Sequence, residues 1–195
     1  MKKIAYVTKE LSINGISEVI FNYCQFLDKD NYDITVFSGP PIERKYIEIA
    51  EKQKIKIIET PPKRKPLEYY FFLLKKLKKN KYDIVHVHGS SATITIELMI
   101  AKLKKIKKTI AHSHNTKCDN IKIHNKLKKI IGNYYDDAIA CSDEAGRWMF
   151  GKRKFTVIKN GIDFTKYSFN ENAREKVRKE YNMTDKIVLR KCWKI

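Results

Sequence analysis

The chain carries five histidines in 195 residues, and four of them fall in two matched pairs. His86 and His88 lie in YDIVHVHG; His112 and His114 lie in TIAHSHNT. Imidazole can ligate a metal, move a proton near neutral pH, or make single hydrogen bonds. Residues two apart on a strand share a face, so either pair could chelate in principle. A metal reading takes all four as ligands, but no carboxylate or cysteine lies nearby in register. His86 and His112 sit inside apolar runs and read as satisfied packing histidines. His88 and His114 end those runs and read as polar contacts to a ligand. No metal is expected.

The turn Asn14-Gly15-Ile16-Ser17 opens the first helical pattern. A glycine there lets backbone N–H groups approach an anion at a helix N-terminus, and a plain helix cap fits the same residues. The turn is not GxGxxG, and Phe37-Ser38-Gly39 leaves no acidic residue after the second strand to hold a ribose. A dinucleotide dehydrogenase is therefore disfavoured.

The elements that must position these residues alternate along the chain. Strand patterns are KIAYVT, YDITVFSG, IKIIE, YDIVHVHG, KKTIAHSH, DDAIACS, FTVIKNG and DKIVL. Helical patterns lie between them: ISEVIFNYCQFLD, IERKYIEIAEKQ, LEYYFFLLKKLKK, ATITIELMIAKLKK, IHNKLKKIIGNYY, DEAGRWMF and NENAREKVRKEYN. Such alternation predicts an α/β fold, a Rossmann-like parallel sheet with helices on both faces. Ligands of such sheets bind at the carboxyl ends of the strands. His88, His114, the NGIS turn and the turn after FTVIKNG all fall at that edge.

Composition narrows the partners. Lys+Arg total 41 against 22 Asp+Glu, a formal charge of +19, which points to an anionic partner. Lysine dominates arginine, and arginine interleaved with aromatics is missing, so nucleic acid is not expected. Cys24, Cys118, Cys141 and Cys192 are scattered, with no Cys-x-x-Cys, as in a reducing compartment. The apolar run after MKK is too short for a signal peptide, and no stretch approaches the ~20 apolar residues of a spanning helix. A cytoplasmic protein is expected, peripheral at the inner membrane leaflet.

In this order, NGIS, YDIVHVHG, IAHSHNT, DDAIACSDEAGRWMFG and VIKNGIDFTKYSF resemble the N-terminal domain of a GT-B glycosyltransferase of family 4. IAHSHNT with ACSDEAGRWMFG looks most like the subgroup that builds capsular and exopolysaccharides. The resemblance implies two Rossmann-like domains with the reaction between them, the first holding the acceptor and the second the nucleotide-sugar. It implies retention of anomeric configuration and no cofactor or metal. Carried over by position, His114 would touch the transferred sugar near its reacting carbon. Gly15 would face the donor diphosphate. Asn14, Ser17, His88 and Asn115 would line the same cleft, and Asn160, Gly161 and Asp163 would sit at the interdomain crossing.

Two departures accompany the resemblance. The family's turn is usually Gly-Gly-x-Glu, so Asn14 would have to supply the left-handed conformation that asparagine tolerates, and the glutamate's contact is lost. The expected domains are residues 1–168 as the Rossmann-like half, 169–188 as an interdomain helix and first strand of a second domain, and 189–195 as an atypical tail. The sequence ends in RKCWKI where the family continues, so the chain reads as truncated, only the acceptor half, and inactive alone. Alternatives are half of a two-chain sugar transferase with a separately encoded donor domain, or a non-catalytic basic module for anionic partners. An anionic membrane is a further expected partner. Leu67, Tyr70, Phe71, Leu74 and Leu77 fall at roughly helical spacing, followed by Lys75, Lys76, Lys78, Lys79 and Lys81. Polybasic segments of this kind hold reversibly to anionic leaflets.

Overall fold

The apolar runs become strands covered on both faces. The computed structural model describes residues 1–78, 81–164 and 168–189. Seven strands form one parallel sheet: β1 (Lys2–Leu11), β2 (Tyr32–Ile42), β3 (Lys56–Glu59), β4 (Ile84–Gly89), β5 (Lys108–Ser113), β6 (Asp137–Ala140) and β7 (Thr156–Val157). Their spatial order is β3-β2-β1-β4-β5-β6-β7. The chain leaves β1 in one direction and returns to its other side at β4. That reversal opens a crevice at the carboxyl ends of β1 and β4.

Helices α1 (Gly15–Phe26), α2 (Arg44–Lys52), α3 (Pro66–Lys76), α4 (Thr95–Leu103), α5 (Ile121–Lys128), α6 (Asp143–Phe150) and α7 (Glu171–Glu180) alternate with the strands. The period of two sorts each strand between two cores. Ile4, Tyr6, Ile34 and Val36 pack with Ile20, Phe21 and Cys24 of α1 and with Tyr46 and Ala50 of α2. Ala5, Val7, Val85, Val87 and Ala111 pack with Tyr69 and Leu73 of α3, Leu98 and Ala101 of α4, and Met149 and Phe150 of α6. A strand buried on both faces has no polar side to alternate with, which explains runs such as IAYV.

The chain forms two compact units, Met1–Gly161 and Ile162–Ile195. The first holds the sheet. The second contains α7, none of whose residues is buried. The expected strand DKIVL does not form. Residues 185–189 are irregular, and Ile187 and Leu189 are almost fully exposed. A strand persists only when a neighbour takes its backbone hydrogen bonds, and the second unit has no strand among its described residues. FTVIKNG shortens to two strand residues for the same reason, since β7 is an edge pairing only with β6. The tail beyond Leu189 lies outside the described residues, as does Lys79.

Helices also end earlier than their patterns suggest. The segment IHNKLKKIIGNYY is helical only to Lys128 and resumes as a 3-10 turn at Ile131–Asn133. The stripe read on PLEYYFFLLKKL is not the buried one. Of its five residues Leu77 is buried, Tyr70 and Leu74 are half-buried, and Leu67 and Phe71 stand 75% and 61% exposed, while Tyr69 and Leu73, outside the stripe, are fully buried. Positions 69, 73 and 77 follow the i, i+4 row that meets the sheet; 67 and 71 lie off that row.

Candidate functional site

Asn14 shapes the first wall of the crevice. It is extended (φ −144°, ψ 166°), so the left-handed turn expected of it is not used. Its side chain works instead: Oδ1 accepts from the Ser17 N–H at 2.9 Å and from the Ser17 hydroxyl at 3.2 Å, capping α1. Its amide donates to Ser12 Oγ at 2.6 Å, and the Ser12 hydroxyl donates to Glu10 Oε1 at 2.9 Å. Ser17 is thus fully buried beneath the turn and does not line the crevice. Gly15 is exposed, with nothing within 4 Å of where a Cβ would stand.

One cavity of about 400 Å³ gathers the edge residues: Thr8, Lys9, Glu10, Asn14, Gly15, Ile16, Ser90, His114, Asn115 and Asn160. Asn160 arrives there because α1 holds its neighbours. The Tyr23 hydroxyl donates to the Lys159 carbonyl at 3.2 Å, and the Asn22 amide donates to the Gly161 carbonyl at 3.2 Å. Gly161 anchors the segment without lining the cavity. Asp163 belongs to the second unit.

His114 forms part of the cavity wall, and His88 lies directly beneath it. His88 is 1% exposed, so it supports the site rather than facing it. Its Nδ1 lies 2.9 Å from His114 Nε2. In the β4–β5 pairing His88 stands opposite His112, which brings all four imidazoles onto the α1 side of the sheet. His86 stacks on His88 with ring centres 4.2 Å apart, and His112 on His114 at 4.1 Å. Tyr6 and Tyr23 flank the stack at 5.1 Å from His86 and 6.4 Å from His112.

His86 and His112 are buried, but they are not satisfied, contrary to the sequence reading. Nε2 of His86, Nε2 of His88 and both ring nitrogens of His112 have no hydrogen-bond partner. Burial pushes His86 down to about 3 and His114 down to about 4, with the His114 imidazole adding to the shift of His86. Burial likewise holds His88 and His112 well below the ordinary imidazole range. All four are therefore neutral at physiological pH.

Donor atoms of His86, His88 and His112 lie within 4.8 Å of one another, which raises the metal question directly. A cation must sit near the plane of every ligand ring. His86 and His88 are stacked face over face, with planes only 28° apart. Two rings stacked at this spacing and tilt share no point at ligand distance that lies in both planes, so the residues do not fit a shared ion as arranged.

Two residues passed over in the sequence hold the second wall. The Trp148 indole N–H donates to the Ser90 carbonyl at 3.0 Å. The Ala92 N–H donates to His124 Nδ1 at 3.1 Å, and the His124 and Trp148 rings stack at 4.3 Å. Helices α5 and α6 thereby pin the loop after β4. No local pattern marks this pairing, because the partners are 24 residues apart. Glu10 and Lys9 were also missed. They follow the first apolar run, at the edge where ligands bind.

Residues 13–166 match the family described as Glycosyltransferase Family 4. An Escherichia coli relative, UDP-Gal:alpha-D-GlcNAc-diphosphoundecaprenol alpha-1,3-galactosyltransferase, is 26% identical over 186 residues, covering 85% of this chain and 46% of the relative. Among solved structures, Anabaena HepE in complex with UDP-glucose superposes with a TM-score of 0.67 at 13% identity, covering 95% of this chain and 51% of that one. The S. aureus MnaA–UDP structure gives 0.60 at 16% identity, covering 93% and 50%. The chain spans about half the length of the relatives it matches. With a Rossmann-like sheet of the GT-B half type and a family match over most of its length, the chain belongs to glycosyltransferase family 4.

Proposed function

We propose that this chain forms the acceptor-side half of a transferase that moves a sugar from a nucleotide-sugar to a lipid-linked saccharide in cell-surface polysaccharide synthesis, without a metal. The observation that carries the reading is the cavity at the β1/β4 reversal, where His114, Asn115, Asn14, Gly15 and Asn160 meet. Its wall offers hydrogen-bonding groups suited to hydroxyl and phosphate oxygens. The E. coli relative's diphosphoundecaprenol acceptor suggests the ligand class. The test is titration of the labelled chain with a short-chain lipid diphosphate bearing GlcNAc. Resonances of Asn14, His114, Asn115 and Asn160 are expected to shift together. His114→Ala is expected to weaken binding about tenfold, ~1.4 kcal/mol, the worth of one hydrogen bond. Shifts confined to residues outside the cavity overturn the assignment.

A lipid-linked acceptor places the protein at a membrane. No described helix is long and apolar enough to cross one. Helix α3 offers surface attachment instead: Leu67 and Phe71 stand out from it, followed by exposed Lys75, Lys76 and Lys78. Each lysine near an anionic leaflet contributes on the order of 1 kcal/mol, and the two apolar side chains add burial. The chain should sediment with anionic vesicles at low salt, release at high salt, and ignore neutral vesicles. Phe71→Ser should weaken the anionic binding. Equal pelleting with neutral lipid refutes the electrostatic reading.

A further inference from the structure

We propose that His88 is a positioning residue that donates its Nδ1–H to His114 Nε2 and so fixes His114 as the neutral Nδ1–H tautomer. His114 then presents a hydrogen-bond donor to a ligand oxygen and has no free lone pair there to act as a base. The inference rests on the cavity assignment above and specifies its chemistry.

Only two arrangements satisfy the 2.9 Å contact between the rings. In the first, His88 donates from Nδ1, and the atom left without a partner is the bare Nε2 lone pair of His88. In the second, His114 donates from Nε2, and His88 must carry its proton on Nε2, a buried position with no acceptor. The neighbouring His112 has no partner for either nitrogen, so it already leaves one N–H unanswered in the same stack. A second orphan N–H dipole a few ångströms away adds to that cost, and orphaned buried N–H groups are the rarest kind. Imidazole's mild intrinsic preference for Nε2–H opposes the first arrangement, but by less than an orphan donor costs.

The remaining nitrogen, His114 Nδ1, has a different setting. It hydrogen-bonds no described residue, it is not among the enclosed unpartnered nitrogens, and His114 forms part of the cavity wall. Its N–H can be answered by water in the free protein and by a ligand oxygen in the complex. The backbone keeps the ring in place, since the His114 N–H donates to the Gly89 carbonyl at 3.2 Å and the ring lies on His112. Burial, which keeps His114 neutral, removes the imidazolium alternative. A neutral donor suits an acceptor oxygen such as a hydroxyl or a phosphate oxygen.

The experiment is long-range proton–nitrogen correlation on the ligand-free, histidine-labelled chain near neutral pH, with His114 assigned by its disappearance in His114→Gln. A pyrrole-type Nδ1 and pyridine-type Nε2 at His114 are expected; the reverse pattern overturns the proposal whatever any variant does. In His88→Leu the donor is gone, and His114 is expected to move at least part of its proton to Nε2. An unchanged His114 in a folded His88→Leu chain also overturns it. Because no ligand is present, failure of the acceptor assignment leaves this result untouched, and the two are read separately.

Discussion

Acidification below pH ~6.5, the ordinary imidazole value, is expected to unfold this protein well before its carboxylates titrate. His86, His88 and His112 are buried and held neutral in the fold, well below the ordinary imidazole range. A depressed folded value means that the unfolded chain binds more protons, so stability rises with pH. It is fully present above the ordinary value and is lost as pH falls beneath it. Each such group costs about 1.4 kcal/mol per pH unit in that window, so three together cost about 4. A domain holds only about 5–15 kcal/mol in total, which puts a cooperative transition near pH ~5. Circular dichroism from neutral to acid pH reads it directly. Adding salt should shift it little, because desolvation rather than surface repulsion drives it. His86→Leu should move the midpoint to lower pH. A wild-type fold that persists until carboxylate pH values contradicts the buried-neutral state.

Lys63→Ala is expected to cost about 3–5 kcal/mol, because it strands a buried carboxylate. Glu97, in the first turn of α4, is fully buried; its Oε1 pairs with Lys63 Nζ and accepts from the Tyr69 hydroxyl at 3.2 Å. Its Oε2 has no partner. Lys63 lies on the loop after β3, so the pair ties that loop to α4 beneath α3. Removing the cation leaves a charge in an apolar surround with one phenol for company. Replacing both partners, Lys63→Met with Glu97→Leu, should recover most of the loss, since buried pairs seldom outdo well-packed apolar residues. Urea denaturation of the three proteins measures both effects. A cost below about 1 kcal/mol for Lys63→Ala would mean that water reaches Glu97 readily.

The layered architecture was legible because its cause is local. Near-continuous apolar runs such as IAYV and DIVHV, separated by helical spacing, admit few arrangements other than a doubly covered parallel sheet. The order of motifs from NGIS to VIKNG carried the family for the same reason, and the family match over residues 13–166 agrees with it. The edge residues His114 and Asn14 were findable because strand ends and helix starts are marked along the chain. DKIVL shows the limit: its pattern is strand-like, but a strand needs a neighbour, and a pattern cannot supply one.

The cooperation among these residues is a matter of space. The sequence placed His86 and His112 inside strands, and it could not say that β4 and β5 would lie side by side with His88 opposite His112. That register turns two separate pairs into one stack, strips water from four nitrogens, and puts His88 under His114. The clamp of Trp148 and His124 on the loop after β4 arises the same way, from helices that meet only after the sheet has formed. Hydrophobic periodicity is written residue by residue and survives any tertiary arrangement that buries it. Hydrogen-bond partners and desolvation depend on which strand or helix becomes the neighbour, and that is set by the packing of the whole sheet.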